Sequence, residues 1–237
     1  MTNTIMLTKN TDQLRQQVAA HVAADSIAQG IYWDEDSKRG CFIGCLAHAN
    51  DPKINEQTYG LPVMVQRIAE SIFEALPADE AKTFFAALPD AVGCDGKDLS
   101  KVGWQFLAAE LRALPEQPDE VQVVIDPVIA GMDLLASGQE WAAAAAAARA
   151  AWAVAAWAAW AAARAARAAA DAAAAAADAA ASAAAAAADA ASAAAAADAA
   201  ARAAAWAAAD RAAACRRQRD TLLALISQAP VLEVSND

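Results

Sequence analysis

Between Gly138 and Pro230 the chain contains neither glycine nor proline, and from Glu140 to Cys215 nearly every position is alanine. Alanine has the highest helix propensity of any residue, and the arginines scattered among the alanines cost little more. The stretch is therefore expected to be helical, and as one unbroken helix it would extend on the order of 130 Å at about 1.5 Å per residue. Each alanine, however, buries only one methyl group. Such a stretch cannot build a conventional core, so the 58% hydrophobic content of the chain overstates its capacity for one.

The residues that interrupt the alanines carry phase. At about 100° per residue, those from Trp141 to Ser192 fall on one sector and leave the opposite face as continuous alanine. The phase then breaks at Asp198. A helix from about Gln139 to Ser192 is expected, with a bend or turn between Ala193 and Ala197 and a second helix to about Ser227. A straight helix with a rotating exposed face is the alternative. A smooth alanine face lets two helix axes approach more closely than the usual 8–10 Å. It needs a partner: the second helix, the first domain or another protomer.

Residues 1–138 use an ordinary alphabet and read as an acidic helical domain. The predicted architecture is all-α: this compact domain, then long Ala-rich helices over 139–228 (one bent helix or a helical hairpin), then a disordered tail at 229–237. Thr11-Asp12 opens a helix predicted to run to about Gln29, with Leu14, Val18 and Val22 on its apolar face. A polar loop is expected from Tyr32 to Gly40 and a short helix from Cys41 to His48. Asn50-Asp51-Pro52 breaks that helix, because the residue before proline is pushed out of the helical region. Met64, Ile68, Ile72 and Leu76 recur at helical spacing after Leu61-Pro62. Further helices are predicted from Asp79-Glu80 to Leu88, from Asp98-Leu99-Ser100 through Leu111, and from Asp119 to about Ala136 with a bend at Pro127. Pro89 to Gly96 reads as a loop.

Charge narrows the partners. Residues 1–138 hold 10 Lys+Arg against 20 Asp+Glu, and the rest 8 against 9, which gives the net −11. An acidic first domain repels phosphate backbones and argues against general nucleic-acid binding there. Four cysteines in 237 residues are too few for a disulfide scaffold, and no secretory leader is recognisable at the start, so reduced thiols in a cytoplasm are expected. The longest uncharged Ala-rich run, between Arg149 and Arg164, is too short to span a bilayer, which needs about 18–20 residues.

Three clusters could carry chemistry. Cys41, Cys45 and His48 stand at i, i+4 and i+7, so a continuous helix would put all three on one face. They could hold Zn²⁺, with Asp51, Glu56 or Cys94 completing the set. Cys41, near a helix N-terminus, could instead be a reactive thiol. The plain alternative is that free cysteines act as small core residues and the flanking glycines allow close packing. Second, Arg149, Trp152, Trp157, Trp160, Arg164 and Arg167 share one helical sector. Indoles stack on bases and guanidinium groups hold phosphates, so the set could bind a nucleotide, or it could anchor the long helix. Third, Asp34-Glu35-Asp36 could attract a divalent cation or be a solvated loop. His21 reads simply as a helix residue.

Gly40-Cys41-x-x-Gly44-Cys45, Tyr59-Gly60-Leu61-Pro62 and Ile68-Ala69-Glu70-Ser71-Ile72-Phe73-Glu74-Ala75-Leu76-Pro77 resemble a family of uncharacterised phage and prophage proteins. Glu140-Trp141 leading into the alanines, and Arg219-Asp220-Thr221-Leu222-Leu223, are similar as well. The resemblance implies a setting, the cytoplasm of a bacterial host, and an accessory protein acting on a host or defence component. Three functions remain open: a non-enzymatic protein that self-associates or binds a host protein through its Ala-rich helices, a thiol- or zinc-dependent enzyme centred on Cys41, Cys45 and His48, and a nucleotide sponge using the Trp and Arg face.

Overall fold

The computed structural model describes residues 7–115, 117–139 and 211–232. Over these residues the fold is all-α, 66% helical with eight helices and one small two-stranded sheet. The predicted bend or hairpin between 139 and 210 lies outside the described residues.

The elements follow in order as α1 (Thr11–Ala23), β1 (Trp33–Asp34), β2 (Arg39–Gly40), α2 (Phe42–Ala47), α3 (Pro52–Tyr59), α4 (Val63–Ala75), α5 (Ala78–Val92), α6 (Val102–Arg112) and α7 (Asp119–Ala136). A further helix, α8, covers residues 211–228. The short antiparallel ladder pairs Trp33 with Gly40 and Asp34 with Arg39.

Several boundaries differ from the predicted ones for local reasons. Helix α1 stops at Ala23 rather than Gln29 because Asp25 takes a left-handed conformation (φ 48°) and Ser26 N–H closes back on His21 O at 3.1 Å. The freed chain then forms a parallel bridge between Ile27 and Gly40. Asp51-Pro52 does not only end a helix; it starts α3. Asp51 accepts from Lys53 N–H at 2.9 Å and Pro52 occupies the first turn, where its missing N–H costs nothing. Pro89 lies inside α5, which runs on to Val92. Pro127 lies inside α7, which is continuous across it.

The core is aromatic at its centre. Phe42 meets Phe73, Phe84 and Phe85 at ring separations of 5.5–6.2 Å, joining α2 to α4 and α5. Leu14 and Val18 of α1 close one side. Cys215, Leu222 and Ile226 of α8 belong to the same core. Their spacing puts them on one helical face, and fully burying a Leu or Ile contributes about 1.5–3 kcal/mol.

The chain divides into two compact units, one formed by residues 1–141 and 212–237 and the other by 142–211. Residues 212–228, expected to belong with the Ala-rich segment, therefore close the first unit. Residues 229–232, expected in a disordered tail, are tied down there too. Asp98 N–H donates to Pro230 O at 2.9 Å and Leu232 N–H to Gly96 O at 2.9 Å. The strongest clamp is Lys97, 7% exposed, whose ammonium donates to Ala91 O, Ile226 O and Ser227 O at 2.8–3.2 Å. One cation thus satisfies carbonyls left over at the C-terminal ends of both α5 and α8, where the helix dipole favours positive charge.

Candidate functional site

The Gly-Cys-x-x-Gly-Cys stretch is where the sequence placed its sharpest chemistry, and the structure separates its members. Helix α2 ends at Ala47. His48 is its C-cap, in a left-handed conformation with φ 50°. That reversal takes His48 off the face an unbroken helix would have given it. Cys41 Sγ donates to Glu70 Oε1 at 3.2 Å, and Cys45 Sγ donates to Gly40 O at 3.1 Å. His48 Nε2 instead meets His21 and Gln17. Among the described residues no three His, Cys, Asp or Glu side chains converge as a metal-ligand group, so Asp51, Glu56 and Cys94 do not complete a set with Cys41, Cys45 and His48.

The two thiols are core groups. Cys41 is 1% exposed and Cys45 0%. Burial pushes the Cys41 thiol up to about 11, with the Glu70 carboxylate adding to the rise. Burial pushes Cys45 up to about 12, with Cys41 beside it contributing in the same direction. A nucleophilic cysteine needs the opposite environment, exposed and electropositive. A cleft of about 280 Å³ does lie over Cys41, lined by Tyr32, Arg67, Glu70 and Ser71. Its charged pair, Arg67 on Glu70 at 2.8 Å, is internally satisfied.

The glycines of the motif explain why it exists. A Cβ on Gly44 would stand 1.5 Å from Tyr32 O, and one on Gly40 2.5 Å from the same atom. The chain at Ile31–Trp33 therefore crosses directly over the start of α2, fixed by Cys41 N–H donating to Ile31 O at 2.7 Å. This crossing delivers Trp33 onto His48, stacked at 4.5 Å and 18°.

What forms around that stack is a cleft of about 590 Å³. His21 and Gln17 come from α1, Ser26 from the turn after it, Trp33 from β1 and His48 from the end of α2. His21 is 8% exposed while His48 is open to solvent. Their Nε2 atoms lie 3.1 Å apart. His21 Nδ1 is 2.6 Å from Ser26 Oγ, and the Gln17 amide nitrogen lies 2.6 Å from His48 Nε2, 3.2 Å from His21 Nε2 and 3.0 Å from Cys45 O. Burial and the charge of His48 both hold the His21 imidazole below its ordinary range, only partly countered by its contact with the Cys45 backbone. The rim carries both signs, with Lys38 and Arg39 opposite Asp25 and Glu35. Imidazoles held in fixed orientation beside an indole can exchange hydrogen bonds or relay a proton.

His21, which the sequence offers only as a helix residue, is thus half of the site. A signal was present: the chain has just two histidines, and both stand in the first domain. Asp34-Glu35-Asp36 forms a turn in which Asp34 caps Asp36 N–H at 3.0 Å and Glu35 accepts from Trp33 Nε1 at 2.6 Å. The Asp34 and Glu35 carboxylates thus have partners within the turn itself. Arg149, Trp152, Trp157, Trp160, Arg164 and Arg167 lie outside the described residues. No helix among the described residues is long and apolar enough to cross a membrane. In comparisons with known proteins, no family model, no curated protein and no solved structure matches this chain.

Proposed function

We propose that the chain is a non-enzymatic binding protein: a closed helical platform with an Ala-rich insertion that engages a protein partner, a second copy of itself or a host protein. The observation that carries this reading is the docking of α8. Helix α7 and residues 212–228 of α8 belong to one compact unit, so the Ala-rich sequence between them is an insertion bounded on both sides by that unit. A long run of small side chains offers a surface on which helices can approach closely, and a pre-anchored insertion loses less entropy on binding than a free tail. The covered, high-pKa thiols of Cys41 and Cys45 favour this over the thiol enzyme. The resemblance to phage and prophage proteins supports an accessory role against a host or defence component in the bacterial cytoplasm.

The test compares the full chain with a variant in which residues 142–210 are replaced by a short Gly-Ser linker. The full chain is expected to self-associate in light scattering or to capture a discrete host protein. The shortened chain should keep its helical circular dichroism and lose that association. Equal association by both would remove the insertion from the account, and a full chain that associates with nothing would refute it.

A further inference from the structure

Helix α7 is apolar on two sides. Ile125, Val128 and Met132 are buried, and α7 packs on α6. Val123, Pro127, Ala130 and Leu134 are exposed, Val123 by 68% and Leu134 by 37%. At about 100° per residue these four fall within about 60° of one another, nearly opposite the buried three. Single exposed apolar residues are ordinary, but a row of them along one helix marks a surface for contact. Their spacing of four, three and four is that of a coiled-coil seam, whose side chains insert between those of a facing helix.

One flank of the seam is charged. Asp119, Asp126 and Asp133 recur every seven residues, which sets them in a single row beside it, and all three are exposed. Asp133 is met by Arg112 of α6 and Asp126 by the Gln122 amide, but no Lys or Arg stands anywhere from Asp119 to Gln139. This row decides the occupant. A second copy laid antiparallel would bring aspartates against aspartates. Laid parallel, it would set them against Val124 and Gly131, which do not answer their charge. Like charges brought together across an interface are costly. We propose that this face of α7 docks an amphipathic helix of another protein, with apolar residues at the same spacing and Lys or Arg along the edge that meets the aspartates. The surplus of acidic residues in the first domain, 20 against 10, steers such a helix toward it. All seven residues belong to the first unit, so this docking does not require the Ala-rich insertion.

The probe is a synthetic peptide of about three heptads with Leu along its seam and Lys on both flanks, where mutual repulsion keeps it from pairing with itself. A second peptide carries Glu in place of every Lys. Binding of each to the full chain is followed by fluorescence anisotropy. The Lys peptide should bind at least about tenfold more tightly than the Glu peptide, with the difference shrinking as salt is added. Val123→Asp and Leu134→Asp should each weaken the Lys peptide at least about tenfold; both positions are exposed, so helical circular dichroism should not change. Asp126→Lys should narrow the preference between the two peptides. Lys-peptide binding that is unchanged in Val123→Asp and Leu134→Asp would assign it to general acidity and overturn the site. Equal binding of both peptides, or none at millimolar concentration, would overturn it too, whatever then covers the seam. Sedimentation of the full chain without peptide addresses a second copy: a dimer lost in Leu134→Asp would give the face to self-association and refute the basic partner.

Discussion

The two sides of α2 had the same sequence promise and met opposite fates. On one side Cys41 and Cys45 point into the core, hydrogen-bonded to Glu70 and to the Gly40 carbonyl. On the other, one residue past the helix end, His48 stands in an open cleft against His21 and Trp33. Four and seven residues of spacing mean a shared face only while the helix lasts. A left-handed cap at His48 is enough to divide a cysteine–histidine motif into a structural half and an accessible half. The glycines bind the halves together, since the same close crossing that covers the thiols carries Trp33 to the imidazole.

The comparison can be broken most severely at Gly44. Gly44→Ala puts a methyl where Tyr32 O already sits, with no flexible side chain to yield. Chemical denaturation should show a loss above about 3 kcal/mol, together with loss of the Trp33–His48 stack. A loss within 1 kcal/mol would mean that the crossing is loose.

Alkaline pH should strike the thiol side alone. The ordinary thiol value is 9.0, and the folded values are raised to about 11 and about 12. Below pH 9 both states keep their protons and no penalty arises. Above it the unfolded chain releases two protons that the folded chain retains, so stability falls as pH rises. The slope is about 1.4 kcal/mol per pH unit for each thiol until its folded value is reached. Melting temperatures measured from pH 8 to 11 should decline steeply in the parent. In a Cys41→Ala, Cys45→Ala double variant the decline should be shallower.

Cys45→Ser tests the burial more gently. A hydroxyl can still donate to Gly40 O, yet it is more polar than a thiol in a fully buried place, and a cost of about 1–3 kcal/mol is expected from denaturation midpoints. The smallest effect belongs to the open side. His48→Asn keeps a residue that tolerates a left-handed backbone and removes only the stack and exposed contacts. It should cost no more than about 1 kcal/mol. A larger loss would make the imidazole cleft a structural element.

How much of this was legible in the sequence depends on range. Helix α4 was announced by Ile68, Ile72 and their neighbours at helical spacing, and its buried face includes Val65, Ala69, Ile72 and Phe73. Helix α6 followed the Asp98-Leu99-Ser100 signal, where Asp98 accepts from Ser100 N–H at 2.9 Å. Helix α3 was hidden because Asp-Pro serves equally as a stop and as a start. The ladder of Trp33 and Asp34 with Arg39 and Gly40 is two residues long on each strand, too short for any period to appear. The site itself depends on contacts 27 residues apart, and the seating of α8 on Lys97 depends on contacts 129 and 130 residues apart. Neither leaves a local pattern. The left-handed cap that redirects His48 is equally silent, because nothing in Ala47-His48-Ala49-Asn50 demands it.

Residue-resolved thiol labelling of the native chain, read by mass spectrometry, tests the division most directly. Cys94, which is exposed, should be modified within the first time points, while Cys41 and Cys45 stay unmodified until denaturant unfolds the domain. Labelling of Cys41 at the rate of Cys94 under native conditions would contradict it, and would return the thiol to the list of reactive groups.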